Sequence, residues 1–302
     1  MSVDCSLCKG FVCRDGRTDS PTEDCPMHGD FPPFEELYDT NLLRENAYHA
    51  ALVEAEGYCR WTRAREIAEY AKKIGAERIG IGHCADMGRE ARLAARYLES
   101  HKIQAVLPPA EARCDPLGQV EFLANQNAQI NVIAGMCVAH EALFISASNR
   151  PVISLVARDQ LLRHNPAAAL YTSGSYSRSR LFDDRDSAVW APFDGNDLNA
   201  LKRANDDLEG QELSDLNRIQ EAMAFARRLG ARDIGMSFCT GFQQEARLLA
   251  GVLKGNGFNV ASVCCKTGAV PKEKIGISDS EQVRPGQAEM ICNPLAQAEL
   301  LN

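Results

Sequence analysis

Long apolar runs are missing from this 302-residue sequence. None approaches the roughly 18 consecutive residues of a membrane-spanning helix, so none is expected. The opening residues, MSVDCSLCKG, lack a basic segment followed by an apolar core, and no secretory signal is expected. Clustered Lys and Arg are absent too, and the formal net charge is -8. Phosphate contacts need such clusters, so a nucleic-acid partner is not expected. Gly80 and Gly82 lack the third glycine of a G-x-G-x-x-G fingerprint, since residue 85 is Ala, which argues against dinucleotide binding.

What is present is cysteine, twelve residues of it, in a chain that is 45% apolar and 25% charged. Those proportions are ordinary for a globular protein with a sizeable core, and the length suggests about two domains. A cytoplasmic location is expected. There, a disulfide framework is not, so the thiols point to metal or redox chemistry.

The first cysteines form a separate piece over residues 1–34, with Cys5, Cys8, Cys13 and Cys25 in the spacing C-x2-C-x4-C-x11-C and His28 following. Two residues between cysteines let both thiolates turn onto one ion. The segment holds too few apolar residues to fold alone, and a metal would supply the missing stability. The alternative is a disordered tail with free thiols. Zinc and an iron-sulfur cluster both accept four thiolates, so the spacing leaves the ion open.

From residue 35 to 173 the pattern is α/β. Leu42, Leu43, Ala47, Ala50 and Ala51, then Ile67, Tyr70, Ala71 and Ile74, recur at helical spacing. Gly75 follows as a cap. Cys59, at the junction in EGYCRWTR, reads as a buried small apolar group. Strands are expected at 78–82, 103–107, 130–135 and 152–157, with helices at 90–100, 116–125, 141–147 and 167–170. Apolar strands alternating with helices predict a parallel sheet covered on both faces, Rossmann-like or flavodoxin-like. Residues 174–212 read as a linker with a surface helix over 197–210.

Residues 213–302 begin a second copy. At an offset of 155, Arg63–Leu98 aligns with Arg218–Leu253 with 14 of 36 positions identical, among them Gly75/Gly230 and Cys84/Cys239. CDPLGQVEFL from Cys114 matches CNPLAQAELL from Cys292 at an offset of 178, so the second copy carries 23 extra residues (178 minus 155). It lacks counterparts of the third and fourth strands. Two parallel strands with partial cover do not stand alone readily. Either this copy extends the first sheet, or another chain, such as a second protomer, completes it, or the reading frame is truncated.

In open parallel sheets ligands bind beyond the carboxyl ends of the strands. Cys84 ends the first strand, Cys114 follows the second, and Cys137 follows the third with His140 three residues on. These four are expected to face one crevice as a metal or redox site. Against this stands the common use of cysteine as a small buried filler at strand ends. His83 should point to the other face of its strand and is left out. The second copy offers Cys239, Cys264, Cys265 and Cys292. Adjacent cysteines cannot easily bind one zinc together, but they suit cluster ligation or thiol redox chemistry.

The N-terminal C-x2-C-x4-C, EGYCRWTR, FCTGFQQEAR, CCKTG, RPGQAEMICNPLAQAELLN, GMCVAH and HNPAAALYTS together resemble a family of prokaryotic cysteine-rich proteins, catalogued as a domain of unknown function and often labelled metal-binding. The resemblance covers nearly the whole chain. It implies metal binding and many occurrences in anaerobes, and no established reaction. In the family pattern one domain carries FC, CC, CNP and GxCxxH in turn. Here the first copy has HCAD, lacks CCKTG, and keeps Cys114 and the Cys137–His140 motif, whereas the second keeps the first three and stops before the last. The expected function is therefore metal binding by zinc or an iron-sulfur cluster, with an undecided reaction. A metal-free thiol redox enzyme and a scaffold with buried cysteines are the alternatives.

Overall fold

Capping side chains and apolar residues three and four apart set the helices of this chain. Residues 3–19, 25–28, 32–112, 114–182 and 215–302 are described here from a computed structural model. Helix α1 (Asn41–Gly57) begins where the Thr40 hydroxyl accepts from the Leu43 N–H. Helix α2 (Arg63–Lys73) begins in the same way at Thr62, buries Ile67, Ala68 and Ala71, and is closed by Gly75 at φ +70°. Between them Cys59 adopts φ +55° and is exposed, contrary to its expected burial. The tight turn there folds Trp61 against Gly57 and points the thiol outward.

The chain divides into two compact units, Thr62–Arg232 and Met1–Trp61 joined with Asp233–Asn302. The first contains β1 (Arg78–Gly82), α3 (Gly88–Ser100), β2 (Gln104–Val106), α4 (Pro116–Asn125), β3 (Ile130–Ala134), α5 (Val138–Ala147) and β4 (Val152–Val156). All pairings are parallel, in the order β2-β1-β3-β4. This is the flavodoxin-like order of a doubly wound sheet, and the chain reverses direction across it between β1 and β3.

Both faces of that sheet are covered. Ile79, Ile81, Ile130 and Val132 join α2 and α3 on one side, and Ile133, Leu123 and Phe144 pack on the other. Gly80 and Gly82 exist for this packing. A Cβ on Gly80 would lie 2.6 Å from Asn131 Oδ1 and 2.9 Å from Leu123, and one on Gly82 would lie 2.6 Å from Phe144. Helix α6 (Arg218–Arg228), with a full capping box between Asn217 and Gln220, also belongs to this unit. Its Ala224 and Phe225 are buried beside Ala139 of α5, so this helix, which opens the second copy in sequence, packs with the first.

The second unit contains β5 (Asp233–Phe238), α7 (Gln243–Gly255), β6 (Asn259–Cys264) and α8 (Pro294–Leu301). β5 and β6 pair in parallel as a sheet of their own and do not extend the first. The cysteine-rich start of the chain docks at its edge. Asp4 forms a parallel bridge with Ser262, whose N–H donates to the Val3 carbonyl at 2.7 Å. Arg247 and Gln243 of α7 donate to the carbonyls of Ser6 and Cys8, and Lys254 lies 2.6 Å from Asp4. Val3, Asp4, Ser6 and Cys8 are thus anchored on the second α/β copy. The surface helix expected over 197–210 lies outside the described residues.

Candidate metal centre

The ends of β1 and β3 meet at the reversal point of the first sheet, and each is followed by a cysteine. Cys84 leaves β1 in extended conformation, with its N–H donating to the Gly135 carbonyl at 2.9 Å. Cys137 is the N-cap residue of α5, and its N–H donates to Cys84 Sγ at 3.4 Å. His140 sits in the first turn of α5, on the same side as Cys137 because residues three apart share a helix face. Its Nδ1 lies 3.5 Å from Cys84 Sγ.

All three side chains are buried, and their donor atoms lie within 4.8 Å of one another. For a tetrahedral ion with bonds of about 2.3 Å to sulfur and about 2.0–2.1 Å to nitrogen, simple geometry separates S from N by about 3.5 Å and S from S by about 3.8 Å. The Cys84–His140 separation equals such an edge. Two thiols and an imidazole also form a donor set of the soft, borderline kind that zinc prefers.

The electrostatics favour one thiolate in the cluster. Hydrogen bonding from the Cys84 thiol, helped by His140, holds Cys137 down to about 4 against the effect of burial. The same bond, with burial, pushes Cys84 up. Behind Cys137 lies Glu221 of α6, 3% exposed, whose carboxylate accepts from the Val138 N–H. Burial and then the Cys137 charge push Glu221 up to about 7, opposed by Arg218 and Arg158. Arg158 bridges Glu221 at 3.4 Å and Asp86 at 2.8 Å, while Arg218 donates to the Met136 carbonyl and to Glu141.

Cys114, expected in the same crevice, is exposed in the turn before α4 and stands apart from this group. His83 is buried and bonds to the Cys84 carbonyl through Nδ1 at 2.8 Å. The glutamine of the C-x-P-L-x-Q motif is a positioning residue that the cysteine-centred reading missed. Gln119 accepts from the His83 N–H and donates to the carbonyls of His83 and Ala112. Gln297, its repeat counterpart, donates to the carbonyls of Phe238 and Val263. Its presence in both copies was the available signal.

In the second unit the cysteines meet differently. Cys264 Sγ lies 3.7 Å from Cys13 Sγ and also hydrogen-bonds with Cys5. Those two thiols hold Cys264 down to about 3 and are themselves pushed up. Cys25 and Cys8 are close enough to Cys13 for their charges to raise it further. Cys265 Sγ lies 3.8 Å from Cys292 Sγ and hydrogen-bonds with Cys239. That bond first, with backbone N–H and Lys266 contributing, holds Cys239 down to about 6, whereas Cys265 is pushed up by its two thiol partners.

The family described as "Protein of unknown function (DUF1847)" matches residues 31–108, 104–155 and 180–302. An uncharacterized protein of Methanocaldococcus jannaschii, MJ0455, is 30% identical over 187 residues, which span 56% of this chain and 93% of the relative. No solved structure matches.

Proposed function

We propose that this chain, which belongs to the family of unknown function DUF1847, is a metal-binding protein whose principal centre is Cys84, Cys137 and His140. The observation that carries this reading is the mutual approach of three buried donors within 4.8 Å at the reversal point of a parallel sheet. The ion proposed is zinc. In a 4Fe–4S cluster each thiolate binds its own iron, so sulfurs in contact with their neighbours suit one shared ion better. Three protein ligands would leave a fourth position, as in zinc sites that polarise a bound molecule.

The residues around the centre have defined work. The Cys137 thiolate and the neutral imidazole would bind, the sequence of α5 fixes their spacing, and the buried Glu221 carboxyl accepts from the Val138 N–H behind Cys137. Of the N-terminal cysteines, Cys5 and Cys13 are read as part of a separate structural site, with Cys8 or Cys25 as a further ligand. A cytoplasmic location fits twelve unpaired thiols.

Anaerobic purification with metal analysis and a visible spectrum tests the reading. Zinc that falls by one ion per chain in Cys137→Ser supports it, and unchanged stoichiometry removes Cys137 from the ligand set. Broad iron charge-transfer absorption lost in the same variant would replace zinc by a cluster. A second reading, a metal-free thiol enzyme, is favoured only by the thiol–thiolate pairing of Cys84 and Cys137, and metal-free purified protein with a reversible Cys84–Cys137 disulfide would establish it.

A further inference from the structure

Cys264 ends β6 and Cys265 follows it directly, and their thiols serve opposite sides, as successive residues along an extended chain do. Cys264 meets Cys13 at 3.7 Å and Cys5, whereas Cys265 meets Cys292 at 3.8 Å and Cys239. Both distances are nearly twice a disulfide bond of about 2.05 Å, and both equal the sulfur–sulfur edge of about 3.8 Å around one tetrahedral ion. The backbone holds the second group in place. Cys265 N–H donates to the Phe238 carbonyl at 2.8 Å, beside Cys239, and the Asn293 N–H, beside Cys292, donates to the Cys265 carbonyl at 2.7 Å.

We propose that Cys264 and Cys265 belong to two separate metal centres of opposite kind. Cys264 joins Cys5, Cys13 and a further N-terminal thiol in a closed structural site that fastens the start of the chain to β6. Cys239, Cys265 and Cys292 form an open three-thiolate site for a soft divalent ion, whose fourth position takes a small anionic ligand.

The openness follows from the surroundings. Cys239 and Cys292 are exposed, and both line an open cleft of about 550 Å³. Exposed cysteines turn about χ1 at little cost, so the two outer thiols can close on the ion that Cys265 shares with each. Among the described residues no histidine lines the cleft, and its carboxylates are paired, Glu54 and Glu289 with buried Lys272 at 2.9 and 2.8 Å and Asp15 with Arg14 at 3.5 Å. A fourth protein ligand is therefore not supplied there. Lys266, largely buried, donates from Nζ to the Met290 carbonyl at 2.8 Å and to Cys292 Sγ at 3.4 Å. Three thiolates and a divalent ion leave one negative charge, which the Lys266 ammonium neutralises, so an incoming anion meets a neutral centre.

The test uses the full chain loaded anaerobically with Co2+, whose bound ions are counted and whose thiolate-to-cobalt and ligand-field absorption are followed during azide titration. Cys239→Ser and Cys292→Ser should each remove one ion and abolish the azide response. Cys13→Ser should remove a different ion and keep that response, and Cys13→Ser/Cys239→Ser should lack two. Lys266→Gln, which leaves all thiols in place, should weaken azide binding about tenfold. The proposal is overturned if the double variant loses no more than either single one, if azide leaves the wild-type spectrum unchanged, or if Cys239 and Cys265 form a disulfide in protein that takes up no ion there. Both cleft cysteines are exposed, so their serine variants should keep the wild-type circular dichroism. The Cys84–Cys137–His140 centre is counted independently through Cys137→Ser, and either assignment can fail alone.

Discussion

His140 Nδ1 stands 3.5 Å from Cys84 Sγ, although 56 residues separate them in the chain. The contact exists because β1 and β3 are neighbours in the sheet and α5 begins at Val138, four residues after β3 ends at Ala134. His140→Ala should therefore remove the ion counted by Cys137→Ser, or weaken its binding by about two orders of magnitude. Competition with a chromophoric chelator measures this. Unaltered affinity would assign the imidazole a packing role only.

Glu221 supplies a pH signature in the metal-free protein. Its folded value of about 7 lies above the ordinary 4.5, so the native state holds more protons between these values. Stability from this group is present below about pH 4.5 and is lost as pH rises through about 7. Glu221→Gln should flatten that decline and recover up to about 3 kcal/mol at pH 8, the shift converted at about 1.4 kcal/mol per unit. Denaturant titrations across pH decide it, and parallel wild-type and variant profiles would refute the assignment.

Much of this arrangement was legible in the sequence. Arg78–Gly82 and Pro116–Asn125 have the expected boundaries, because an apolar run feeding a glycine-capped or Asp-capped turn is a local signal. Cys84, Cys137 and His140 converge as expected for strand-end residues. The partnership of Cys264 with Cys13 was not legible, since 251 residues intervene and nothing periodic links them. Nor was the place of α6, whose repeat register matches α2 while Phe225 and Ala224 find their burial beside Ala139. Local pattern sets elements, and only tertiary packing chooses which surfaces meet.

Cys239 should be more readily alkylated than Cys265 in the metal-free chain. It is exposed, and its value of about 6 makes it thiolate at neutral pH, while its neighbour Cys265 is pushed up and buried. Peptide-resolved iodoacetamide labelling should show a half-maximal rate near pH 6 at Cys239. A midpoint near the ordinary thiol value of about 8.5 would contradict the hydrogen bond from Cys265.

Gly82→Ala tests why the first strand carries glycine. The new Cβ would fall 2.6 Å from Phe144 and 2.8 Å from Met136, both in the packed layer under α5. Overpacking of this kind costs about 1–3 kcal/mol. Equilibrium unfolding of the metal-free protein should show that loss, and a neutral result would mean that α5 can shift away from the sheet without penalty.

Gln119 and Gln297 give the last test, because they do one job at two sites. Each is buried and donates to two carbonyls that include one from the residue just before a proposed ligand, His83 before Cys84, and both Phe238 before Cys239 and Val263 before Cys264. Replacing either by Ala removes two hydrogen bonds to buried carbonyls, at a cost of about 1–3 kcal/mol, although the Phe238 and Ala112 carbonyls keep the Cys265 and Asp115 N–H donors. It also frees the loop that aims the thiol. Gln119→Ala should weaken metal binding at Cys84 and spare Cys239, and Gln297→Ala should do the reverse. If both variants lost stability while each centre kept its affinity, the glutamines would be fold residues alone, and the strand-end loops would owe their aim to the strands themselves.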